Sequence, residues 1–250
     1  MRQMSESDYW ALVFPSSKSG TLAKQASTCS GGYPFSDPLL ATLTPVGGFP
    51  IQIKQDAILY GGGGNRLRVA WLKTHEGKDG TAGGALALVR ALEDYAEVYG
   101  VGVFRGDAER TRLGLERMGH GLVVTATDDR CSGVADREAC DSVMHVYLPF
   151  RGQLVPIATV GLQRVRFTEG KEPGVSGKVR YELVTTPTFE EGQLRLMEQV
   201  SASDESGRKL RRAEVERLLK VRDGKVEESV ESLWKRIMGE QEGAPTRELL

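Results

Sequence analysis

Apolar and polar side chains alternate along most of residues 65–203, in runs of roughly seven to twelve residues broken by glycine. That period belongs to half-buried β-strands. NRLRVAWLKTHEG sets Leu67, Val69 and Trp71 against Arg66, Arg68 and Ala70. GGALALVRALED puts Leu86 and Leu88 on one face; its Ala and Leu content also suits a helix, but the preceding glycines and short length favour a strand. AEVYGVGVFRG reads as a strand with Val98, Gly100, Gly102 and Phe104 on one side and Tyr99, Val101 and Val103 on the other. TRLGLERMGHGLVVTATDD reads as two strands joined at RMGHG, and SVMHVYLPFRGQLVPIATVGLQRVRFTEG as two joined at FRG. GKVRYELVTTPTF and EEGQLRLMEQVSASDESG continue the series.

Outside this stretch the pattern changes. In residues 1–64, DYWALVFP reads as a first strand with Trp10, Leu12 and Phe14 on one face, and further short strands are broken by Pro45, Pro50 and the run Gly61 to Gly64. In the C-terminal part, Leu210, Val215, Leu218 and Leu219, and then Val226, Val230, Leu233, Trp234 and Ile237, recur at helical spacing on either side of Asp223-Gly224. The links between strands are too short for parallel crossovers. The expected fold is therefore mainly β: an antiparallel meander forming a curved sheet, barrel-like or sandwich, with C-terminal amphipathic helices. Four regions are expected: an irregular segment at 1–64 packed on the main domain, an antiparallel β domain at 65–205, a helical appendage at 206–239 and a disordered tail at 240–250.

Composition supports this and narrows the function. Glycine accounts for 30 of the 250 residues, well above the usual share of about 7%, as a turn-rich β protein requires. The 33 basic and 34 acidic side chains leave a formal charge of -1, which gives no general drive toward nucleic acid or an anionic membrane. No apolar run approaches the roughly 18 residues of a membrane span. MRQMSESDYW lacks the apolar core of a signal peptide, so export implies a targeting segment ahead of residue 1, with a cytoplasmic location as the alternative.

Catalytic patterns are weak. His75, His120 and His145 lie far apart, without metal-ligand spacing, and each fits a surface or core role as well as a catalytic one. SKSG at residues 17–20 lacks the flanking pattern of a nucleophile elbow. YGGGGNRLR leads into a strand rather than a helix and lacks Gly-Lys-Ser/Thr, so it reads as a turn rather than a phosphate cradle. Glu93, Asp94 and Glu97 fit the polar edge of a hairpin. No catalytic residue, metal ligand or cofactor is assigned. Trp71, Tyr95, Tyr99, Phe104, Tyr147, Phe150, Phe167 and Tyr181 would line a ligand cavity or simply fill the core.

Two local features remain. Cys131 and Cys140 flank an eight-residue loop beside Asp129, Asp136 and Asp141. Two thiolates fall short of the four ligands zinc usually takes, and the calcium-loop order is absent. A disulfide is the favoured reading, contributing roughly 2–3 kcal/mol in the loop-entropy account; reduced thiols and a metal site are the alternatives, and Cys29 is left over. In GRKLRRAEVERLLKVR, the cations Arg208, Lys209, Arg211 and Arg212 form a group that can meet phosphates or an acidic partner, interrupted further on by Glu214 and Glu216. A solvated helix face is the plainer explanation.

These observations imply a non-enzymatic structural or binding component of a bacterial cell envelope or secreted assembly, periplasmic, outer-membrane-associated or secreted. Its expected partner is another protein, with a small hydrophobic ligand as a second class and nucleic acid disfavoured. Two alternatives stand beside it: a hydrolase-like enzyme with a site assembled from dispersed His and Asp/Glu, and a cytoplasmic adaptor using the basic C-terminal segment.

Overall fold

The computed structural model describes residues 4–15, 25–28, 30–34, 38–46, 51–54, 66–130, 140–169, 177–222 and 225–239. In chain order these form α1 (Glu6–Val13), β1 (Gln25–Thr28), β2 (Gly31–Pro34), a 3-10 turn (Pro38–Leu40), β3 (Thr44–Pro45), β4 (Ile51–Lys54), β5 (Arg66–Glu76), β6 (Thr81–Ala91), β7 (Ala96–Asp107), β8 (Arg112–Met118), β9 (Gly121–Asp129), β10 (Cys140–Phe150), β11 (Gly152–Glu169), β12 (Lys178–Glu190), β13 (Gln193–Ser203), β14 (Lys209–Arg222), β15 (Lys225–Glu228) and α2 (Leu233–Met238). The mainly antiparallel β expectation holds. The path of paired strands ends at β3 and β15, so the sheet does not close into a barrel. The run Gly61 to Gly64, the 17–20 segment and the 240–250 tail lie outside the described residues.

The chain divides into two compact units: one comprises Met1–Glu116, Leu122–Ala126 and Tyr147–Pro156, the other Arg117–Gly121, Thr127–Val146 and Ile157–Leu250. In the first unit, β5, β6 and β7 pair antiparallel. Both faces of this sheet are covered. Ala70, Leu72, Ala85, Ala87, Val89, Val101 and Val103 meet Tyr9, Val13 and Phe14 of the α1 segment. Leu67, Val69, Trp71, Leu86, Leu88 and Phe104 meet Leu113, Leu115, Val124, Tyr147 and Leu154. Small residues let other backbone come close: a Cβ at Gly84 would sit 1.9 Å from the Leu72 carbonyl oxygen, and one at Gly102 2.6 Å from that of Leu154. The start of β11 pairs parallel with β7 through Gly152↔Gly100 and Gln153↔Val101, a departure from an all-antiparallel meander.

Two readings in this unit are corrected. Residues 6–13 are helical rather than extended: Ser5 and Asp8 form a reciprocal capping box, and Tyr9 and Val13, four apart, are the buried pair. In β7 the register shifts opposite Leu88 and Val89, so Val98 joins the face of Val101 and Val103, and Tyr99 is left half-exposed beneath the Arg90 guanidinium.

The second unit carries β12, β13 and β14 in antiparallel register, interrupted by a bulge at Ala202/Ser203 in the β13–β14 pair. One face is buried: Val179, Tyr181, Leu183, Val200 and Ala202 pack on Leu233 and Trp234 of α2, with Trp234 fully enclosed. The other face exposes Val184 and Met197. The expected helical appendage at 206–239 is largely corrected: residues 209–222 and 225–228 are strands, and among the described residues there only the six-residue α2 is helical. Leu210, Val215, Leu218 and Leu219 look helical in sequence partly because a bulge at Ala202/Ser203 shifts the phase after Leu210. In addition, buried Arg217 occupies a core position where an apolar residue is expected.

Candidate protein-binding edge

The candidate site lies in the second unit, where the outer side of β14 is only partly covered. Backbone groups along a strand point alternately toward one neighbour and the other. The Val221 N–H donates to the Gly192 carbonyl at 3.4 Å, so Val221 faces β13. Leu218 faces the opposite way: its carbonyl accepts from Ser229 N–H at 3.0 Å, and its N–H donates to Ser229 Oγ at 2.9 Å. The same alternation turns the N–H and C=O of Glu216, Glu214 and Arg212 outward. β15 pairs only with Leu219 to Arg222, leaving those three residues without a neighbouring strand among the described residues.

Beneath this edge lies a buried polar tie. Arg217 donates to Glu198, both nearly fully enclosed, and also to Glu228. The second Glu198 carboxylate oxygen accepts from Leu233 N–H at 2.8 Å and Ser232 Oγ at 3.2 Å. Removing one partner of such a group leaves an uncompensated charge, so the arrangement holds β13, β14 and the start of α2 together. The edge therefore rests on a fixed support.

The sequence-predicted cations are gathered here, on a strand instead of a helix. Arg208 is held in the turn before β14, its Nε 3.0 Å from Asp204 Oδ2. Lys209 opposes Ser203 and Arg212 opposes Ser201, which places both on the open face, whereas Arg211 opposes Ala202. Arg212 donates to Glu214 Oε1 at 3.1 Å and to Gln199 Oε1 at 2.9 Å. Lys209 and Arg211 are exposed and have no carboxylate partner among the described residues. Farther along, Glu216 Oε2 lies 3.5 Å from Arg195 Nη1. The strand thus carries cations in its first half and carboxylates next. At its start, a groove of about 470 Å³ is lined by Phe167, Lys178, Arg180, Glu205 and Lys209 among others.

No family model, curated protein or solved structure matches this chain. The edge is defined by its geometry alone.

Of the remaining predicted residues, Phe167 lines the groove at the start of the edge. The expected Cys131–Cys140 staple is not found among the described residues: Cys140, buried at the start of β10, is their one cysteine, its bonded sulfur partner lies outside them, and so does Cys131. His75 is buried in β5, its Nδ1 2.7 Å from Thr74 Oγ1, and burial lowers its pKa from the ordinary value. His120 sits in the β8–β9 turn with Nε2 3.7 Å from Glu191 Oε1. His145 in β10 has Nδ1 3.4 Å from Thr159 Oγ1; burial lowers its pKa, and Asp128 acts the other way. Trp71, Phe104 and Tyr147 fill the first unit's core, with Trp71 and Phe104 packed edge to face at 5.0 Å, and Tyr181 fills that of the second. Tyr95, Tyr99, Phe150 and Phe167 are exposed. No helix among the described residues is long and apolar enough to cross a membrane.

Proposed function

We propose that this chain is a non-enzymatic binding component that takes up an extended segment of a partner protein along the open side of β14. The observation that carries this reading is the outward set of backbone groups at Arg212, Glu214 and Glu216, next to a strand whose support is buried and fully tied. An added strand satisfies such groups with main-chain hydrogen bonds, while alternate side chains provide selectivity. The neighbouring Arg and Glu side chains favour a partner of mixed charge over a nucleic acid, whose phosphates would meet Glu214 and Glu216. Nothing in strand uptake requires an extracytoplasmic setting.

The test is selection of random decapeptides on the immobilised full chain. Winning peptides should be extended, carry alternating charge, and lose binding to Glu214→Pro, which deletes one outward N–H. Peptides that bind Glu214→Pro as tightly as the parent would overturn the reading.

A further inference from the structure

The order of charges along β14 identifies a partner, on the premise that this edge does take up a strand. Exposed edges are commonly defended by charge of a single sign, which repels a second copy. β14 is built differently. Arg212 and Glu214 are adjacent outward-facing positions on the same side of the strand, their side chains 58% and 51% exposed, and Glu216 follows. An antiparallel second β14 would run in reverse, so its Glu meets the first copy's Arg.

We infer that two copies of this chain pair through β14 about a two-fold axis at Ala213. Arg212 of each copy then lies opposite Glu214 of the other, and the two outward pairs exchange main-chain hydrogen bonds. Outward groups can only meet outward groups, so allowed registers differ by steps of two residues. Moving the axis to Arg212 sets Arg212 against Arg212. Moving it to Glu214 sets Glu214 against Glu214 and drives the turn ahead of β14 past Leu218, where Ser229 already occupies the lane. With the axis at Ala213, Lys209 of one copy stops opposite Arg217 of the other, one position short of that obstacle. This register alone of the three sets no like charges against each other at the outward positions. Such an interface is isologous and closes at two copies. The exposed intrachain Arg212–Glu214 pair exchanges one partner for another, because a solvent-exposed ion pair is held only weakly.

The experiment is sedimentation equilibrium of the full chain with charge variants. The parent should be dimeric, and Arg212→Glu or Glu214→Arg alone should weaken self-association by about tenfold or more, since each turns two attractive cross-strand pairs into repulsive ones. Mixing the two single variants should restore a heterodimer, because every Glu then faces an Arg. A dimer that both single variants leave intact, or a mixture that stays monomeric, overturns the register. Glu214→Pro should yield a folded monomer by circular dichroism; if it fails to fold, the charge-swap mixture still decides. A parent that is monomeric at 100 μM overturns self-pairing. If its edge still selects extended peptides, the wider strand-uptake reading stands; if neither occurs, both fall.

Discussion

The sheet β5–β6–β7 and the sheet β12–β13–β14 use the same antiparallel pairing to opposite ends. In the first, β6 is buried along nearly its whole length, because α1 covers one face and Leu113, Leu115, Val124 and Tyr147 cover the other. In the second, burial alternates residue by residue, and α2 covers a single face. A strand buried on both faces has no room for a changed side chain. A strand buried on one face leaves its other side, and any free edge, available for recognition. Tolerance to substitution should therefore separate the two regions more sharply than total apolar content.

The largest expected effect is in the first sheet. Gly84→Val forces a side chain into the Leu72 backbone, and no flexible group can yield. The loss should exceed about 3 kcal/mol, the upper end of overpacking costs, visible as insolubility or a collapsed urea midpoint. A wild-type midpoint for this variant would erase the contrast. Next comes Glu198→Gln, which strikes the buried ion pair of the second sheet. Arg217 keeps Glu228 but loses its enclosed partner, and about 3 kcal/mol of stability should go with it. Hydrogen exchange should show α2 and the β14 amides opening first.

A smaller effect depends on pH. Burial lowers the folded pKa of His75 below the ordinary value of about 6.5. As pH falls below that value the unfolded chain takes up the proton first, so stability declines until pH reaches the depressed folded value and then levels. His75→Gln should flatten that part of the thermal midpoint against pH; an unchanged slope would remove His75 as its source. The smallest effect is expected at the exposed side of the second sheet, where Met197→Thr should change stability by less than about 0.5 kcal/mol. A large loss there, measured by denaturant titration, would mean that this face is not open.

The strands of residues 66–203 were legible because alternation and glycine-marked turns act within a few residues. β14 was not. A bulge at Ala202/Ser203, a buried Arg217 and a half-exposed Leu218 together imitate a helical period. The cations Arg208, Lys209, Arg211 and Arg212 were found, but their setting was not, since being at an edge depends on which strand ends outermost. α1 was legible in principle: Ser5 and Asp8 have capping-box spacing, and the apolar alternation of Trp10, Leu12 and Phe14 concealed it. The Tyr99 irregularity is a long-range register event that leaves no local signal.

The attachment of α2 also has a mechanical meaning. Leu233 N–H and Ser232 Oγ are fastened to Glu198, which belongs to β13, the middle strand, rather than to β15 at the margin. A pull applied from the Gly239 side is therefore delivered to the centre of the sheet. β15, with only four paired residues, would otherwise unzip one bond at a time. Load reaches it only after Trp234 has left its socket, so the margin that a partner would occupy stays in shape while the tail is under tension.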